Sequence, residues 1–178
     1  SRKINVNNFD LIYAGAQKNM GPAGTTLVIV KDKILGKTER KIPTMLDYKT
    51  HIKKDSMFNT PPVFPIYVSM LNLQWLKDIG GIETIEKINQ EKAKILYAEI
   101  DRNPLFTGTA NKEDRSNMNI CFLLKDASKE DLFNQLCEDA GINGIKGHRS
   151  VGGYRASIYN AMPIDSIKVL IDTMKKIK

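Results

Sequence analysis

The chain has 178 residues, of which 42% are hydrophobic and 26% are charged, as in an ordinary globular protein. No run of residues approaches the roughly 20 apolar positions that a membrane-spanning helix requires, so we expect no membrane partner. The two cysteines, Cys121 and Cys137, are too few for a disulfide framework, and no signal segment opens the sequence. We therefore expect a cytoplasmic protein.

The formal net charge of +7 raises the question of nucleic-acid binding. Most of the 27 basic residues are lysines, and many lie among glutamates at helical spacing, as in Glu86, Lys87, Glu91 and Lys92. Such spacing is typical of a solvent-exposed helix face. The densest basic stretch, residues 31–54, has no series of aromatic residues that could stack on bases. We therefore expect no nucleic-acid partner.

The first 35 residues are predicted to form part of a larger α/β layer. Residues 11–14 and 25–30 are short apolar runs separated by a glycine-rich turn, and both are predicted to be interior strands. Continuously apolar strands are typical of a sheet covered on both faces, which needs more strands than this segment provides. Because a buried strand follows so soon after Ser1, we expect the chain to be part of a longer domain.

Two amphipathic helices are predicted in the middle of the chain. The polar segment 31–60 is predicted to be a crossover or an exposed flap, and the sequence FNTPP at its end can begin a helix. Apolar residues at i, i+3 and i+4 extend this helix to about Ile79, where two glycines stop it. The second helix is predicted over residues 82–102, before Asn103-Pro104.

The remaining residues alternate between strand and helix patterns and predict a small α+β unit. The predicted elements are a strand at 117–124, a helix from Ser128 to Gly141, strands at 144–146 and 154–159, and a helix from Pro163. The polar segment 107–116 is predicted to be a loop. These patterns divide the chain into residues 1–80 and 81–178.

Lys18 is the first candidate for chemistry. It follows the first predicted strand and is enclosed by Gly15, Gly21 and Gly24, so the backbone can turn tightly around it. A lysine that is partly desolvated at a strand end gives the neutral amine more readily, and that amine is a nucleophile for carbonyl groups. The alternative is a solvated surface lysine. No Gly-Lys-Ser/Thr sequence follows, so the glycines do not form a phosphate-binding loop.

A second candidate site lies in the sequence GHRSVGGYRAS, residues 147–157. The planar guanidinium of arginine binds carboxylate or phosphate through two hydrogen bonds, so Arg149 and Arg155 could hold two anionic ends of one substrate. For Arg149 alone, an ordinary surface position is the favoured alternative. Arg155 lies in a strand that otherwise looks buried, and a buried charge needs an acidic side chain or a ligand anion as its partner.

A third candidate is the pair Asn59 and Thr60. Their amide and hydroxyl groups, together with the N–H groups of the following helix, could bind an oxyanion or a phosphate, although a simple helix cap is the more common use of such residues. Neither cysteine has metal-ligand spacing from a histidine, so we expect no metal site and no thiol catalysis.

In their order along the chain, the sequences GAQKNMGPAG, FNTPP and GHRSVGGYRASIYNAMP resemble the phosphoserine aminotransferase family, pyridoxal-phosphate enzymes of class V and aminotransferase fold type I. The resemblance implies an α/β protein in which residues 1–80 are the end of a large cofactor-binding domain with a mixed seven-stranded sheet. Residues 81–178 would be the small α+β C-terminal domain. The chain would then be the second half of the family's polypeptide.

The resemblance also implies roles at the cofactor, pyridoxal 5′-phosphate. Lys18 forms the Schiff base with it and moves a proton between the substrate α-carbon and the cofactor. Gln17 lies beside the cofactor ring. Asn59 and Thr60 reach the cofactor phosphate of the partner subunit, so the expected assembly is a homodimer with its active site at the interface.

For the substrate, the resemblance implies that Arg155 binds the α-carboxylate and that His148 and Arg149 bind the phosphate group. The implied reaction transfers an amino group between glutamate and 3-phosphohydroxypyruvate, giving phosphoserine and 2-oxoglutarate in serine biosynthesis. Use of the related phosphorylated hydroxythreonine of pyridoxine biosynthesis is left open by these residues. The family's acidic partner of the pyridine nitrogen belongs to the other half, so we expect little activity from this chain alone.

The sequence is also compatible with two other functions. One is a non-catalytic α+β module that binds an anionic metabolite or a protein through the Arg149 and Arg155 region. The other is an aminotransferase of the same fold that acts on a different acid.

Overall fold

The computed structural model describes residues 1–147 and 152–177. The chain folds as two compact units: Lys3–Ile79, here called the first unit, and Gly80–Lys178 with Ser1–Arg2, here called the second unit. The division falls beside the boundary expected from the sequence. The assignment of these units to the large and small domains of an aminotransferase stays a prediction.

The first unit contains one hairpin and two helices. Strands β1 (Leu11–Gly15) and β2 (Thr26–Val30) pair antiparallel, with Leu11 opposite Val30 and Gly15 opposite Thr26. Helix α1 covers Tyr48–Ile52 and helix α2 covers Val63–Asp78. Short 3-10 helices occur at Val6–Asn8, Asp32–Ile34 and Thr44–Leu46.

Both strands were predicted correctly, but the prediction that they are interior strands is wrong for this chain. Tyr13 is 73% exposed, and Leu27 and Ile29 of β2 are also exposed. Only Ala16 and Ser69 are buried among residues 3–79. The physical reason is that a two-stranded sheet with no covering layer cannot remove its apolar side chains from water.

Helix α2 begins directly after Pro62 and ends at Asp78, close to the predicted limits. Its expected apolar face is not packed within the first unit, because large residues such as Phe64, Tyr67 and Leu71 are exposed. The segment expected to be a crossover or flap contains α1 and two of the 3-10 helices, so it is partly helical.

The second unit is a small α+β fold. Its elements are α3 (Gly81–Arg102), β3 (Phe106–Gly108), β4 (Asn119–Leu124), α4 (Glu130–Asp139), β5 (Tyr154–Ser157) and α5 (Ile164–Lys176). The three strands form an antiparallel sheet in the order β3-β4-β5. Helix α3 ends before Asn103-Pro104, as predicted.

Three details of the second unit differ from the predictions. The predicted strand at 144–146 makes only an isolated bridge between Lys146 and Tyr154. Strand β3 begins at Phe106 and extends into the segment predicted to be a loop, because pairing with β4 satisfies its backbone groups. Asp126, and not Ser128, caps the helical turn before α4, since its carboxylate accepts a hydrogen bond from the Ser128 N–H.

The hydrophobic core lies between the helices and one face of this sheet. Helix α3 packs against β3 and α5, and α4 packs against α5. Four aromatic rings form the centre of the core, with centroids 4.9 to 6.5 Å apart in the contacting pairs: Phe106, Phe122, Phe133 and Tyr154. Alternation along β4 and β5 leaves Cys121, Leu123 and Arg155 on the opposite face of the sheet. None of the described helices is long and apolar enough to cross a membrane.

Candidate active site

The turn that carries Lys18 directly follows β1. Lys18 has a φ of 127°, a backbone conformation that favours glycine and is strained for a side chain of this size. Three hydrogen bonds hold the turn. The Lys18 N–H donates to the Gly21 carbonyl at 3.1 Å, and the N–H groups of Met20 and Gly21 donate to the Ala16 carbonyl at 3.2 and 2.9 Å. The turn is therefore a fixed structure with a strained lysine at its tip.

Two glycines allow this turn to form, and one of them, Gly21, lies against helix α2. A Cβ at Gly15 would collide with the side-chain amide of Gln17, and a Cβ at Gly21 would lie 2.6 Å from the Ser69 Oγ on α2. The turn is also tied to α2 by Asn72, whose Nδ2 donates to the Asn19 carbonyl at 2.9 Å. The sequence around Lys18 thus determines a close approach of the backbone to the helix.

The side chains of Gln17 and Lys18 are exposed. The expectation that Lys18 is partly desolvated is therefore wrong for this chain, because α2 approaches the backbone of the turn but leaves the Lys18 side chain exposed. An accessible amine on a rigid turn can still condense with an aldehyde, so the turn fits covalent attachment of a carbonyl compound.

Asn59 and Thr60 are also exposed, and they precede the first residue of α2, Val63. The N-cap of α2 is Pro62, and no side chain caps this helix. The Asn59 Nδ2 donates to the Thr60 carbonyl at 3.2 Å. The interpretation of these residues as a simple helix cap is wrong, and their role in binding a phosphate stays a prediction.

Arg155 lies on β5, opposite Cys121 of β4. Its neighbours Tyr154 and Ala156 are buried, whereas the Arg155 side chain is exposed. The expectation that it is a buried charge is wrong, because strand alternation places it on the outer face of the sheet. Its guanidinium is consequently accessible to a ligand anion. His148 and Arg149 lie outside the described residues.

A cavity of about 310 Å³ lies beside β5 in the second unit. The loop after α4 and one side of α5 contribute mostly apolar groups to it, including Ile142, Ile145 and Leu170. Among the described residues that line it, Arg155 alone is charged. Because strand alternation places the Arg155 side chain on the outer face of the sheet, the guanidinium is not shown to enter this mostly apolar cavity.

The environment of Lys92 differs from the sequence-based prediction. The charge pattern predicts a solvent-exposed helix face for this residue, but the exposed fraction of its side chain is 0%. Its Nζ donates to the carbonyls of Ile158, Tyr159 and Met162, and burial lowers its pKa. The signal was present in the spacing, because Lys92 falls on the same i, i+3, i+4 stripe as the buried Ile85 and Leu96.

Ionisation of other groups in the second unit is governed by burial and pairing. Hydrogen bonds from Arg115 hold the pKa of the Asp101 carboxyl below its usual range. Burial raises the pKa of the Cys137 thiol to about 11 and that of Tyr154 to about 12. Cys137 is therefore protonated at neutral pH. Within residues 1–147 and 152–177, no group of three or more metal-ligating side chains is found.

Comparison of the sequence with known proteins shows the family to which the chain belongs. The model of aminotransferase class-V matches residues 1–170 of the chain. A curated phosphoserine aminotransferase of Flavobacterium psychrophilum is 66% identical over 178 residues, which are 100% of this chain and 50% of that protein. The chain thus spans about half the length of the curated relatives that it matches.

Solved structures agree with this match. A phosphoserine aminotransferase studied for radiation damage of its Schiff base has a TM-score of 0.93 and 50% identity, covering 99% of this chain and 49% of that one. The phosphoserine aminotransferase of Trichomonas vaginalis with bound PLP has a TM-score of 0.91 and 37% identity, covering 98% of this chain and 50% of that one. From its sequence match and its α/β structure, the chain belongs to the class-V aminotransferase family.

Proposed function

We propose that the chain is the second half of a phosphoserine aminotransferase and supplies the lysine and the substrate-binding residues of its active site. The observation that carries the proposal is 66% identity to a curated phosphoserine aminotransferase along the whole chain. In this assignment the first unit is the end of the large domain and the second unit is the small C-terminal domain. The α/β fold of the solved relatives supports it.

Lys18 and Gln17 act at the cofactor in this proposal. Pyridoxal phosphate, when bound, stabilises the negative charge that develops on the substrate α-carbon when its proton is removed. The Lys18 Nζ would hold the cofactor through its aldehyde carbon, and as a free amine it would accept the proton from the substrate α-carbon. The hydrogen-bonded turn would hold this amine in position, and the adjacent Gln17 side chain would lie beside the cofactor ring. Asn59 and Thr60 bind the cofactor phosphate of the partner subunit in a homodimer.

Arg155 binds the substrate α-carboxylate, and His148 and Arg149 bind the substrate phosphate. The exposed guanidinium on the outer face of the sheet supports the first assignment, since a carboxylate can approach it. The substrates are glutamate and 3-phosphohydroxypyruvate, and the products are 2-oxoglutarate and phosphoserine. The chain alone has little activity, because the acidic partner of the pyridine nitrogen belongs to the other half. We place the complete enzyme in the cytoplasm.

The role of Lys18 is tested in the full-length protein that contains this chain. We expect Lys18→Ala to abolish transamination of phosphoserine with 2-oxoglutarate and to remove the visible absorbance of the covalently held cofactor. Lys37→Ala, a change of another exposed lysine of the first unit, should leave both unchanged. Retention of the cofactor absorbance in Lys18→Ala would contradict the assignment and favour a non-catalytic module.

Substrate choice is tested with Arg149→Ala. Hydrogen bonds to charged groups contribute about 1.5–3 kcal/mol, so kcat/KM for phosphoserine should fall about 10- to 100-fold. The same constant for an unphosphorylated amino acid should change much less. An equal loss for both substrates would mean that the enzyme acts on a different acid.

A further inference from the structure

Lys92 is a buried cation whose hydrogen-bond partners are all backbone carbonyls. Its Nζ donates to the Ile158 carbonyl at 3.2 Å, the Tyr159 carbonyl at 2.8 Å and the Met162 carbonyl at 3.1 Å. An ammonium group has three donors, so the whole donor capacity of Lys92 is used on this one segment. Neither water nor a carboxylate is needed to satisfy the group.

The segment that Lys92 holds is the connection between β5 and α5. Asn89, one turn earlier on α3, adds a fourth bond, because its Nδ2 donates to the Asn160 Oδ1 at 2.8 Å. Asn89, Lys92 and Asn160 are all buried. Helix α3 thus fixes the connection at four points, here called the α3 clamp: the carbonyls of Ile158, Tyr159 and Met162, and the Asn160 side chain.

The α3 clamp begins one residue after the end of β5, and Arg155 lies on that strand three residues before Ile158. The strand is short, with four residues, so its own ladder offers few bonds to hold its register. A slip of one residue would turn Arg155 into the core, because side chains alternate between faces. The position of the guanidinium therefore depends on what holds the two ends of β5.

We infer that Lys92 is a positioning residue for Arg155, because its three hydrogen bonds to the β5–α5 connection hold the strand that presents the guanidinium. This inference rests on the proposed function, in which Arg155 binds the substrate carboxylate. Lys92 is fully buried, and its three hydrogen bonds go to backbone carbonyls of the chain. It acts through the backbone of residues 155–158.

The first test measures amide hydrogen exchange in the full-length protein with Lys92→Met, which keeps an unbranched apolar side chain but removes the three donors. The N–H groups of Arg155, Ile158 and Met162 are hydrogen-bonded and serve as reporters. We expect their exchange to rise by about tenfold or more, with helix α4 unchanged. Lys94→Met is the matched control, because the Lys94 side chain on the same helix is 79% exposed. An equal rise in every element, or no rise, would overturn the inference.

The second test uses the full-length protein. Loss of position at Arg155 should raise KM for glutamate about tenfold or more in Lys92→Met, while kcat per bound cofactor and the cofactor absorbance change little. An unchanged KM in a folded variant overturns the inference. If Lys92→Met does not fold, Lys92→Gln, which replaces the ammonium with a shorter amide, weakens the same three hydrogen bonds more mildly and is judged by the same criteria.

The two tests separate this inference from the proposed function. If the unaltered full-length protein has no transaminase activity, the proposed function fails, and hydrogen exchange alone decides whether Lys92 holds β5. If that protein is active but either readout of Lys92→Met matches that of Lys94→Met, the positioning role fails and the proposed function stands.

Discussion

Asp101 and Arg115 form an ion pair that makes a modest contribution to the stability of the second unit. The Arg115 guanidinium donates to both carboxylate oxygens of Asp101, at 2.7 and 2.8 Å, and lies 4.4 Å from the centroid of the Tyr97 ring. Since Asp101 is partly exposed, we expect Arg115→Met to lower the free energy of unfolding by only about 1–2 kcal/mol at pH 7. Lys112→Met removes a more distant, highly exposed ammonium and should cost less than about 0.5 kcal/mol.

The pH dependence of this pair has a definite sign. Pairing depresses the pKa of Asp101 in the folded state, so its contribution is present above the unfolded pKa of about 4 and is lost as the pH falls through the lower folded value. Urea unfolding followed by circular dichroism should show the difference between Arg115→Met and the unaltered chain shrinking from pH 7 to pH 3. A difference that grows on acidification would contradict the pairing.

At the scale of single elements, helix α4 offers a matched pair of substitutions. Phe133 is fully buried in the aromatic centre of the core, whereas its neighbour Leu132 is half exposed. Phe133→Ala should lower the free energy of unfolding of the second unit by about 3–5 kcal/mol, because it leaves a cavity among Phe106, Phe122 and Tyr154. Leu132→Ala should cost less than about 1 kcal/mol. Chemical denaturation of both variants measures the difference, and similar losses would argue against this core.

The hairpin of the first unit differs from helix α4 because its apolar side chains are exposed and not packed in a core. Strands β1 and β2 have no further partner strand within the described part of the chain, and such open edges favour association. We expect the isolated chain to self-associate, and the double change Leu27→Lys and Ile29→Lys to shift sedimentation profiles towards the monomer. Leu132→Lys, an equally exposed position in the second unit, is the control. A monomeric unaltered chain would contradict the prediction.

At the scale of the whole molecule, the core is distributed unequally between the two units. Apart from Ala16, every buried hydrophobic residue of the described chain lies in residues 80–177. A polypeptide of residues 80–178 should therefore fold alone and unfold cooperatively, whereas residues 3–79 alone should not. Circular dichroism of the two fragments during thermal unfolding tests this. A non-cooperative transition in the 80–178 fragment would show that its core is insufficient.

The elements themselves were largely predictable from the sequence. The limits of α3, the strands β1 and β2 and the helix after Pro163 follow from local periodicity and from glycine and proline positions, which act through backbone geometry within a few residues. Strand β3 was missed because Phe106–Gly108 has no local strand pattern and forms only by pairing with Phe122–Leu124, beyond a polar segment.

The sequence by itself determined the family and the identity of the candidate residues, since the motifs around Lys18, Asn59 and Arg155 are local strings of side chains. Local spacing places Lys92 on the apolar stripe of α3, but tertiary structure alone decided which groups cover each charge and accept its hydrogen bonds. Lys92 lies under carbonyls more than 60 residues away along the chain, while Arg155 is exposed between two buried neighbours. Burial is a property of residues that meet only after folding, and local periodicity carries no information about which distant groups will cover a side chain or satisfy its hydrogen bonds.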